Sequence, residues 1–157
     1  MKQQADILAE LRRNILLMQG FSPAANVADG GPLSLIGNAF PNSTFPVAAI
    51  HEFICQSSEE VSASYGFING VVSSLAKNTS IIAWVTSSPV FPHALKMYGI
   101  SPEHMLFIQP PRYKDFLFVV EEVLKCDVFA AVIADIKELS FTESRRFQES
   151  VIEHFIA

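Results

Sequence analysis

The stretch Ile50-His51-Glu52-Phe53-Ile54-Cys55-Gln56-Ser57-Ser58-Glu59-Glu60-Val61 decides how this chain is read. Residues 50–54 read as a strand, 55–58 as a turn and 59–76 as an amphipathic helix. That order is the setting for G-x-x-x-x-G-K-[ST], in which backbone N–H groups and a Lys cradle nucleotide phosphates. Here the turn holds neither Gly nor Lys, and the helix opens with Glu59 and Glu60. A helix N-terminus offers roughly half a positive charge to an anion, and these two carboxylates take up that offer from within the chain. A triphosphate would meet their repulsion. The loop formed by Cys55, Gln56, Ser57, Ser58, Glu59, Glu60 and Val61 is therefore a degenerate phosphate loop, and no cofactor is expected on it.

Outward from that stretch the pattern alternates. Apolar runs at 48–54, 80–86, 105–109 and 129–136 suit buried parallel strands. Helical stretches at 59–76, 91–98, 113–125 and 142–156 lie between them. In the first helix Val61, Tyr65, Ile68, Val72 and Leu75 form one apolar stripe, and Gly66 and Gly70 would let it approach the sheet closely. Ser57-x-x-Glu60 and Ser140-x-x-Glu143 read as capping boxes, and Ser101-Pro102 marks a further helix start. Strands alternating with helices imply right-handed crossovers and a mainly parallel α/β sheet of about four or five strands flanked by helices. Phe116-Leu117-Phe118-Val119-Val120 is apolar almost all round its helix, so that helix is either deeply buried or presents a surface to a partner.

Toward the N-terminus, Ile7, Leu8, Leu11, Ile15 and Met18 mark an amphipathic helix over 3–18. Residues 20–44 form a linker rich in Gly, Pro, Asn and Ser, anchored by Leu33, Leu35, Ile36 and Phe40. The chain thus divides into an N-terminal helix and linker at 1–44 and an α/β core at 45–157. Its 157 residues are 50% hydrophobic and 17% charged, enough for one domain with a substantial core rather than a disordered chain. The net charge of −5 argues against strong nucleic-acid binding by this chain alone, since phosphates require clustered Lys and Arg.

Cys55 and Cys126 are expected reduced and buried, in a cytoplasmic protein. Neither has the Cys and His neighbours of a zinc site, so no metal is expected. The N-terminal residues lack an apolar signal core, and no apolar run reaches the roughly 20 residues of a membrane span. The sequons at Asn42 and Asn78 are read as chance matches. His51 and Glu52 would point to opposite faces of a strand. His93, His104 and His154 have no ligand spacing, and no G-x-S-x-G elbow exists.

The segment from Phe45 to Leu139 resembles the RecA-type core of the P-loop NTPase superfamily, and more closely the ImuA proteins, RecA-like accessory factors of inducible translesion mutagenesis. Pro46-Val47-Ala48-Ala49-Ile50-His51-Glu52-Phe53 is similar to the lead into the phosphate loop. Phe91-Pro92-His93-Ala94-Leu95-Lys96-Met97-Tyr98-Gly99-Ile100 resembles the helix that ends in Leu-Gly-Val. Leu106-Phe107-Ile108-Gln109-Pro110 resembles the strand after it, and Cys126-Asp127-Val128 through Leu139 the Walker B strand. Leu11-Arg12-Arg13-Asn14-Ile15 and Phe141-Thr142-Glu143-Ser144-Arg145-Arg146-Phe147-Gln148 add similarity at both ends.

Carried over residue by residue, the loop Gly and Lys fall near Glu60 and Val61. The water-activating glutamate falls near Ser87, whose hydroxyl is no carboxylate base. Asp135 stands where the resemblance implies the Walker B acid; read alone, it is a strand-end carboxylate capping the next loop. Residues 136–139 run almost directly into the 142–156 helix, leaving little room for a DNA-binding loop, and the expected C-terminal strands are missing from the sequence. The resemblance implies a non-catalytic accessory protein of DNA-damage-induced mutagenesis. Its partners would be a Y-family-like DNA polymerase homologue and a replicative-type polymerase subunit, with homo-oligomerisation possible and no membrane. The alternatives are a degenerate nucleotide-binding ATPase that uses Asp135, and an SOS cell-division inhibitor on the same scaffold.

Overall fold

The computed structural model describes residues 7, 8, 10, 11, 14, 15, 39, 40, 45, 49–75 and 80–156. Met18, Leu33, Leu35, Ile36 and residue 48 of the expected strand lie outside them. The chain clusters into two compact units, Met1–Ala49 and Ile50–Ala157. In the first, Ile7, Leu8, Leu11 and Ile15 are helical and their stripe is 52–57% exposed. Phe40 meets Phe45 edge-on at 5.2 Å.

The second unit is an α/β fold with a three-stranded parallel sheet among the described residues. Helix α1 (Ser58–Leu75) leads into strand β1 (Ile81–Val85). Strand β2 (Met105–Ile108), helix α2 (Tyr113–Leu124), strand β3 (Phe129–Ala134) and helix α3 (Phe141–Ile156) follow. The strand order is β2-β1-β3. Ile82 to Val85 pair with Met105 to Ile108, and β1 pairs with β3 past an irregularity between Ile81 and Ile82.

Side chains alternate across a strand, and β1 is buried on both sides. Ile82 and Trp84 face a cluster with Val72, Leu95, Ile100 and Ile133. Ala83 and Val85, both 0% exposed, face Phe116, Val120, Val123 and Phe147. A strand covered on both faces reads as a continuous apolar run, which is why Ile81-Ile82-Ala83-Trp84-Val85 is legible as it stands.

The structure corrects four expectations. Residues 50–54 are not a strand: they belong to no sheet among the described residues, and Ile50, Phe53 and Ile54 are 45%, 42% and 81% exposed. A segment becomes a strand only beside another strand, and the described sheet holds only β2, β1 and β3; Phe53 instead meets Phe67 of α1 at 5.7 Å. Residues 92–98 form a 3-10 helix (Pro92–Tyr98) rather than an α-helix. Pro92 opens it, and Gly99 ends it in the left-handed conformation at φ 75°, where its N–H bonds back to Lys96 O at 3.0 Å; a residue with a Cβ is strained there. At Gly66 the close neighbour is not the sheet but the Tyr98 hydroxyl, 3.2 Å from where a Cβ would stand. The cysteines are free and half-buried.

Helix α2 resolves the apolar run at 116–120 into two faces. Phe116 is 1% exposed and Phe118 is 61% exposed. Phe116→Ala should cost about 3–5 kcal/mol through the cavity it leaves, whereas Phe118→Ala should shift stability by less than about 0.5 kcal/mol. Urea unfolding of the two variants checks this.

Candidate functional site

Two places concentrate the residues singled out by the sequence: the N-terminus of α1, and the carboxyl ends of the three strands.

At the first, Ser57 caps α1. Its Oγ accepts the Glu60 N–H at 3.3 Å, and its carbonyl accepts the Val61 N–H at 3.0 Å. The Glu60 carboxylate turns back past the cap to accept the Gln56 N–H at 2.7 Å, one residue earlier than in the box at Ser140. There Glu143 accepts both the Ser140 N–H at 2.8 Å and its hydroxyl. Glu59 lies over the first turn, where its own N–H and the Ser57 and Ser58 hydroxyls hold its carboxyl below the ordinary range. Cys55 Sγ sits 3.1 Å from Ser64 Oγ. The backbone N–H groups of Gln56, Glu59 and Glu60, donors a phosphate there would use, are thus taken by the chain's own side chains.

At the second, the connections leaving β1 and returning to β3 lie on opposite faces, so the chain reverses direction about β1. In parallel α/β sheets ligands bind outside the carboxyl ends of strands at such a point. Thr86, 0% exposed, continues β1 by donating its N–H to Ile108 O at 3.0 Å. Its Oγ1 accepts the Ser88 N–H at 3.0 Å. Gln109 Nε2 donates to Ser88 O at 3.0 Å, closing the turn that carries exposed Ser87. Asp135 N–H reaches Val85 O at 3.1 Å, and Asp135 Oδ1 accepts the Tyr65 hydroxyl at 2.9 Å.

The sequence placed Asp135 at a strand end, and it is there, but its partner Tyr65 was read only as part of an apolar stripe. No spacing signals a bond between residues 70 apart in the chain. Burial first, and then the Asp135 hydrogen bond and charge, push the Tyr65 phenol well above its ordinary value. The Tyr65 ring also packs edge-on against Trp84 at 5.4 Å. Beside it in the chain fold, Asn69 Oδ1 and Trp84 Nε1 are buried without a hydrogen-bond partner among the described residues.

The structure brings Thr86, Ser87 and Asp135 to one end of the sheet. Among the described residues no three His, Cys, Asp or Glu side chains cluster as a metal site requires. No described helix is long and apolar enough to cross a membrane. Neither a scan against protein-family models nor a search of curated proteins finds a match to the chain.

Because its folded-state value is raised, the stability that Tyr65 contributes is fully present below the ordinary tyrosine value of about 10 and is lost as pH rises beyond it. Ultraviolet titration should find one phenol that resists ionisation, and Asp135→Asn should lower its midpoint part of the way, since burial remains.

Proposed function

We propose that this chain is a non-catalytic, RecA-like accessory protein of DNA-damage-induced translesion mutagenesis that acts by binding a Y-family-like polymerase partner. The observation that carries the non-catalytic half is the closure of the α1 N-terminus by Ser57, Glu59 and Glu60. Phosphate binding at a helix start needs unspent N–H donors and positive potential. Here the Gln56, Glu59 and Glu60 donors are spent and the added charges are negative. Asp135, the one acid a degenerate ATPase would use, is engaged by Tyr65.

The accessory half rests on the resemblance over 45–139, together with a parallel sheet carrying helices on both faces. The connection at 135–140 adds support. Tyr113 Oη donates to Glu138 O at 2.6 Å and accepts Glu138 N–H at 3.0 Å, pinning that connection to α2. A short, tied-down segment after β3 is a poor DNA-binding loop, and protein contacts are the remaining mode of action.

Calorimetry with ATP and Mg²⁺ at near-millimolar concentration should detect no binding. The double variant Glu60→Gly with Val61→Lys should still hydrolyse nothing, because Ser87 supplies no carboxylate. Micromolar ATP binding that disappears in Asp135→Ala would establish the degenerate nucleotide enzyme instead.

The partner half is tested separately. A polymerase-like protein should be encoded beside its gene, and the chain should co-elute with it in gel filtration. Failure to form that complex, with a cell-division protein bound instead, would move the reading to the inhibitor on the same scaffold.

A further inference from the structure

We draw no further inference here: the strongest candidate, the apolar groove between helices α2 and α3, is edged by two cations, Lys114 and Arg146, and two carboxylates, Glu121 and Glu143, and nothing in the structure shows what covers it.

Discussion

Everything in the α/β unit depends on β1 being buried from both sides. Its five residues are flanked by a strand on each edge and by an apolar cluster on each face. At roughly 25 cal/mol for each Å² of apolar surface removed from water, such a strand concentrates more stabilisation per residue than any other part of the fold. The remaining elements are arranged to cover it. Helix α1 and the 3-10 helix close the Ile82 and Trp84 side, and helices α2 and α3 close the Ala83 and Val85 side. A parallel pair needs a long crossover, so the connections must pass over the faces. The burial of β1 and the layering of the helices are thus one constraint.

That constraint explains which parts of the fold were legible. The strands at 81–85, 105–108 and 129–134 stand out as apolar runs because both faces of the sheet are covered. The caps at Ser57 and Ser140 stand out because capping chemistry is local, complete within four residues. The segment at 50–54 also reads as a strand, yet it is not one, and its apolar residues Ile50, Phe53 and Ile54 are exposed. A strand is a relation between two segments, and composition reports on only one of them. The 3-10 helix at Pro92–Tyr98 was legible as helical but not in its pitch, which Pro92 and the left-handed Gly99 set from its two ends.

The candidate site divides along the same line. The absence of Gly and Lys, and the presence of Glu59 and Glu60, can be read directly, and the hydrogen bonds at 55–61 follow from them. Tyr65 with Asp135, and Gln109 with Ser88, cannot be read directly. Each pair forms only because the sheet order places the ends of β1, β2 and β3 side by side, beneath the first two turns of α1.

The α1 N-terminus and the strand ends share one property. At the α1 N-terminus the Gln56, Glu59 and Glu60 N–H groups are taken by the Glu60 and Glu59 carboxylates and the Ser57 hydroxyl, so an incoming anion would have to displace bonds already made, against like charge. At the strand ends Asp135 already accepts the Tyr65 hydroxyl, and Ser88 O accepts the Gln109 amide, so a ligand there would likewise have to break a bond before making one.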